Sequence, residues 1–124
     1  MAEVHSYRDL LVWQQAMDVA VATYELTRAW PKDELYGLTA QARRAAVSLC
    51  ANIAEGYGRE TRPSYIDFLR VSQGSLKELE THLIIAQRIE LSQQGKIEDL
   101  LVQCESVGKL LRLLVRKLES EKDS

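Results

Sequence analysis

With 124 residues, 46% of them hydrophobic and 27% charged, the chain is long enough to build one hydrophobic core and short for two. Its formal net charge of −2 supplies no global basic field, which excludes proteins that gather nucleic acid or anionic membrane by overall positive charge. Only two prolines and six glycines interrupt it, a usage that suits long helices better than many short strands.

No stretch approaches the ~18–20 unbroken apolar residues of a membrane span. The opening "MAEVHSYRDL" lacks the basic start and apolar centre of a signal peptide. Cys50 and Cys104 both fall in helical apolar patterns and form no close pair. They read as reduced, buried thiols of a cytoplasmic protein.

In chain order, the first helix is expected over about residues 9–29. Leu10, Trp13, Met17, Ala20 and Tyr24 step by three and four, and a second seam follows Val12, Ala16, Val19, Thr23 and Leu26. At about 100° per residue the two seams cover about 200° of helix surface. A single core-facing stripe needs little more than about 100°. The helix therefore packs on two sides, and Val12, Ala16, Val19 and Leu26 are read as the seam that another subunit covers. "WPKDELYG" then breaks the pattern with Pro31 and turn-prone polar residues.

The second helix is expected over about 37–58, with Leu38, Ala42, Ala45, Ala46, Leu49 and Ile53 as its core stripe. Its many alanines permit close helix approach, and Gly56 and Gly58 mark a C-terminal cap in the left-handed region. Pro63 suits the first turn of a third helix over about 63–89, with Ser64 and Asp67 as a variant capping box. Tyr65, Leu69, Ser72, Leu76, Leu79, Leu83 and Ala86 form its seam. Ser92 is a candidate cap for a fourth helix over about 93–119, whose stripe includes Ile97, Leu100, Cys104, Val107, Leu111 and Val115. The tail "ESEKDS" is charged and expected to fray. Four amphipathic helices with short links predict an all-α domain, an antiparallel up-and-down four-helix bundle.

A polar stripe crosses this pattern. Gln41, Arg44, Ser48, Asn52, Glu55 and Arg59 line one face of the second helix, and Ser75, Glu78 and His82 line the third. Arg44, Asn52, Glu55, Ser75 and Glu78 are expected to form a structural network that sets helix register; the plainer reading is a solvated face. A carboxylate di-metal site would need a Glu on each of two helices and a Glu-x-x-His pair on each of the others. Only His5 and His82 are present, and Glu78 and His82 stand four apart. The residues thus imply no metal, no cofactor and no catalytic set: neither cysteine has a recognisable base, and "GYGRE" lacks the spacing and lysine of a phosphate loop.

The basic residues open a different possibility. Arg43, Arg59 and Arg62 cluster in the central stretch with Tyr57 and Tyr65 interleaved, while Lys109, Arg112 and Arg116 share one side of the fourth helix. These could contact phosphates. Acidic residues sit among them, and a mixed, solvated surface is the competing reading.

"YRDLLVWQQAMDVAVATYELT", "YGLTAQARRAAVSLCANIAEGYGR" and "FLRVSQGSLKELETHLIIAQR" resemble the bacterial four-helix bundle proteins called 23S rRNA-intervening sequence proteins. "ANIAEG" and "GSLKELET" are the most specific stretches. The resemblance implies an antiparallel bundle assembled as a homopentamer, with no catalytic residues. A more distant similarity is to the accessory protein of diversity-generating retroelements, which is also pentameric, partners a reverse transcriptase and binds nucleic acid, though it is strongly basic. The reading drawn from all this is a non-enzymatic, homo-oligomeric scaffold with a protein partner. The alternative is a nucleic-acid-associated accessory protein that displays arginines around a ring.

Overall fold

The computed structural model describes residues 3–92 and 94–121. Four helices build it: α1 (Leu11–Thr27), α2 (Ala40–Tyr57), α3 (Arg62–Arg88) and α4 (Gln94–Ser120). No strand occurs among the described residues.

The helix ends differ from those read off the sequence, each for a local reason. Before α1 lies a 3-10 turn, Tyr7–Asp9, opened by the Ser6 hydroxyl accepting from the Arg8 backbone N–H at 3.0 Å. Leu10 is then extended (φ −72, ψ 123), so the helix starts only at Leu11. At its other end the chain leaves towards Trp30, a buried indole whose N–H donates to the Ser92 hydroxyl and joins the two links at that end of the molecule. A 3-10 turn (Lys32–Glu34) and a wide turn (Leu35–Thr39) follow. The Glu34 carboxylate accepts from the Leu38 N–H at 3.2 Å, and Gly37 departs from helical geometry (φ −105, ψ −112). For that reason α2 begins at Ala40 and not near Gly37.

The Thr61 hydroxyl, accepting from the Ser64 N–H at 3.2 Å, caps α3, with Pro63 in the first turn. The cap thus lies one turn earlier than the Ser64–Asp67 box that was expected. At the far end the Leu91 N–H reaches the Ala86 carbonyl (3.0 Å) and the Glu90 N–H reaches that of Gln87 (3.2 Å). This is a Schellman closure. Its left-handed position is filled by Glu90 (φ 60), and no described glycine has a positive φ. Gly56 and Gly58 therefore do not serve the left-handed cap predicted for them. Gly56 answers a packing demand: a Cβ there would stand 2.9 Å from the Phe68 Cβ and 3.2 Å from the Tyr65 carbonyl oxygen. The cap position of α4 is residue 93, outside the described residues, and the Ser92 hydroxyl is taken by Trp30.

The core gathers the stripes of all four helices. Leu49 and Ile53 of α2 meet Leu69, Leu76, Leu79 and Leu83 of α3 and Ile97, Val107 and Leu111 of α4, all essentially inaccessible. From α1 the contributors are Val12, Ala16, Val19 and Ala20. This corrects one expectation. Val12, Ala16 and Val19 are buried within their own chain, so they cannot be the seam covered by another subunit, and Leu26 is partly buried against the same core. The reason is that α1 lies against both α2 and α4, and the crevice between them takes the narrower, β-branched seam.

Candidate functional site

Of the other seam of α1, Met17 and Tyr24 face outwards, while Ala20 is buried and Leu10 and Trp13 pack against the core. Trp13, Met17, Val21 and Tyr24, with Val47 and Ala51 across from them on α2, line an open groove of about 560 Å³. Val21 and Val47 are about half exposed (52% and 48%), unusual for β-branched apolar side chains flanking one depression.

Both ends of the groove are built. At one, Tyr7 packs edge-on against Trp13, ring centroids 5.1 Å apart, which fixes the wall. At the other, Arg43 reaches over from α2. Its guanidinium carbon sits 4.7 Å from the Tyr24 ring centroid, and its Nε donates to the Thr27 hydroxyl at 2.8 Å. Thr27 donates in turn to the Thr23 carbonyl (2.8 Å), so the buried polar groups of α1 are satisfied. Glu25 and Arg28 stand at the rim. Cys50 lies at the floor, where burial pushes its thiol up to about 11 against the opposing pull of a backbone hydrogen bond. Cys104, in the core, is raised to about 12 by burial first and by Glu80 second, with Lys77 opposing. Thiols held protonated in this way are poor nucleophiles.

The predicted network divides. Asn52 and Ser75 do come together, through Ser48: the two serine hydroxyls are 2.8 Å apart, and the Asn52 amide donates to the Ser48 carbonyl at 2.8 Å. Ser72 adds a bond to the Leu49 carbonyl at 3.0 Å. The charged members stay outside. Glu55 pairs with Arg59 on its own helix (2.8 Å), Glu78 faces His82 at 3.4 Å, and Arg44 is exposed. Short neutral side chains fit the tight α2–α3 crevice, whereas a charge taken into it would lose its hydration.

The basic residues do not converge. Arg43 is held on Tyr24 and Thr27; Arg59 lies on the Phe68 ring (4.5 Å) beside Glu55; Arg62 is held by Glu121. Lys109 is 3.7 Å from Glu105, while Arg112 and Arg116 are exposed along α4. Sequence reasoning missed the Arg43–Tyr24–Thr27 clamp and the exposed Leu35–Tyr36 pair. The pair was read only as part of a turn, though two large apolar residues amid Pro, Lys, Asp and Glu were a visible signal. Among the described residues no three metal-ligating side chains gather at one place, and no helix is long and apolar enough to cross a membrane.

Four packed helices and an open apolar groove between α1 and α2 define a small all-α protein. The chain belongs to the family described as 23S rRNA-intervening sequence protein, whose pattern matches residues 8–113. It is similar in fold to a protein of unknown function from the S23 ribosomal protein family of Bacteroides thetaiotaomicron VPI-5482. The two share 21% identity and a TM-score of 0.77, over 85% of this chain and 98% of that one. No curated protein sequence matches the chain.

Proposed function

We propose that the protein is a non-enzymatic, self-assembling interaction scaffold of the cytoplasm: an antiparallel up-and-down bundle that forms a homopentamer and offers its outer surface to a protein partner. The α1–α2 groove carries this reading. Its exposed aromatic and aliphatic lining is what a subunit contact would cover. Contacts that pair the end of α2 with the start of α3 (Gly56 with Tyr65 and Phe68) support the antiparallel order. The number five rests on the family resemblance, and the two free buried thiols suit a reducing compartment.

A second reading, attachment to nucleic acid, is favoured by one observation. Arg112 and Arg116 stand one turn apart on the exposed side of α4, with no carboxylate partner among the described residues. Repetition around a ring would multiply such a modest patch. Light scattering on the purified protein, alone and with a short DNA duplex or a structured RNA, tests both. A five-chain particle that ignores nucleic acid is expected. A particle that takes it up at low salt and releases it at higher salt would make the arginine surface the functional one. A monomer would overturn the scaffold reading.

A further inference from the structure

We infer that Leu35 and Tyr36 of one copy insert into the α1–α2 groove of the next, so that copies join head to tail; the inference rests on the self-assembly reading above and names the surfaces that perform it.

Two separate apolar features lie on this chain, one convex and one concave. Tyr36 is 92% exposed and Leu35 44%, in a turn whose base is anchored on both sides. The Glu34 carboxylate holds the Leu38 N–H at 3.2 Å, and Trp30 is bound to Ser92 beneath. The turn therefore presents its two side chains as an ordered projection and does not fold them back over the helices. A tyrosine supplies large, rigid contact area with few rotatable bonds, the character of residues that anchor interfaces. The groove, about 560 Å³, is of the size that encloses compact ligands (about 300–1,000 Å³) and has room for two side chains.

Charge points to the same occupant. The neck of the projection carries Lys32 and Asp33, both exposed, and the groove rim carries Glu25 and Arg28, both exposed. None of the four has an ion-pair partner among the described residues. Seated in a neighbour's groove, Asp33 can meet Arg28 and Lys32 can meet Glu25, each unpaired charge finding its opposite. Because projection and groove are different patches of one surface, the contact is heterologous. Repeated round a rotation axis it closes a ring; a groove-to-groove contact would stop at two copies.

Mixing two single variants tests this. Tyr36→Asp spoils the projection and Val21→Asp spoils the groove; both sites are exposed, so each variant is expected to keep its helices, which circular dichroism checks. Each variant alone is expected to lose assembly and run as a monomer in sedimentation equilibrium, while Tyr36→Phe assembles like the parent chain. Mixed, the two variants can form one intact contact and no more, since one keeps the projection and the other the groove. A two-chain species present only in the mixture is therefore expected. An assembled Tyr36→Asp variant, or a mixture that stays monomeric, overturns the head-to-tail contact while leaving self-assembly standing. A monomeric parent chain overturns both.

Discussion

Glu90 carries the one positive φ among the described residues other than glycine, at 60°, where it closes α3. A side chain in the left-handed region costs about 1–2 kcal/mol relative to right-handed backbone, and glycine avoids that cost. Leu91, packed against the core, and the two closing hydrogen bonds hold the position in place whatever residue fills it. Glu90→Gly is accordingly expected to stabilise the fold by about 1 kcal/mol and to raise the midpoint of thermal unfolding. A lower midpoint would mean that the carboxylate makes a contribution its geometry does not show. The cysteines make a second prediction at this scale. Burial raises Cys50 to about 11 and Cys104 to about 12 from an ordinary 9.0, so the folded chain keeps these protons to higher pH than the unfolded one. Stability should hold below about pH 9 and fall as pH rises from there through 11 and towards 12, with more protons bound to the folded state throughout that window. Denaturant titrations across this range check the sign. At neutral pH a thiol reagent should label neither cysteine until the chain unfolds.

Between elements, the α2–α3 crevice separates what is structural from what is solvated. Ser75 loses its hydroxyl contact with Ser48 on replacement by alanine, and a hydrogen bond of this kind is worth about 1 kcal/mol. Glu55 and Arg59 lie more than a third exposed, so Glu55→Gln should cost well under about 1 kcal/mol. Chemical denaturation of the two variants side by side is expected to rank Ser75→Ala as the more damaging. The reverse order would restore Glu55 to the network. Gly56 tests the packing itself. An added methyl meets Phe68 Cβ at 2.9 Å, and neither helix backbone can retreat without opening the core. Overpacking of this kind costs about 1–3 kcal/mol, which Gly56→Ala should show as an equal loss of unfolding free energy.

For the whole molecule, exposed apolar area is the quantity that matters. Val21, Val47 and Tyr36 lie outside a core that already satisfies Leu49, Leu76 and Leu111. If copies cover that surface, unfolding is coupled to dissociation, and the thermal midpoint must rise with protein concentration. A midpoint independent of concentration over a hundredfold range is the result that would count against assembly. Because the contact is largely apolar with two exposed ion pairs at its rim, raising salt should lower the midpoint only slightly, unlike a phosphate-binding surface, whose occupancy falls steeply with salt.

The number of helices and most of the core were legible in the sequence, because helical spacing alone decides which side chains share a face. The stripes of α2, α3 and α4 contain most of the residues found buried, from Ala42 to Val115, while Cys50 and Ser75 are buried outside them. For α1 the spacing showed two apolar seams but could not say which of them the chain would cover itself. Only the placement of α1 against both α2 and α4 decided that Val12, Ala16 and Val19 go inside and Met17 and Tyr24 stay out. The polar stripe was read in the same way and met the same limit: the period put Ser48, Asn52 and Glu55 on one line, and the width of the crevice admitted the serines and the amide while leaving the carboxylate in water. Periodicity is a property of one helix and so is written in its sequence. Which face is buried depends on neighbours far along the chain, and only the tertiary structure decides it.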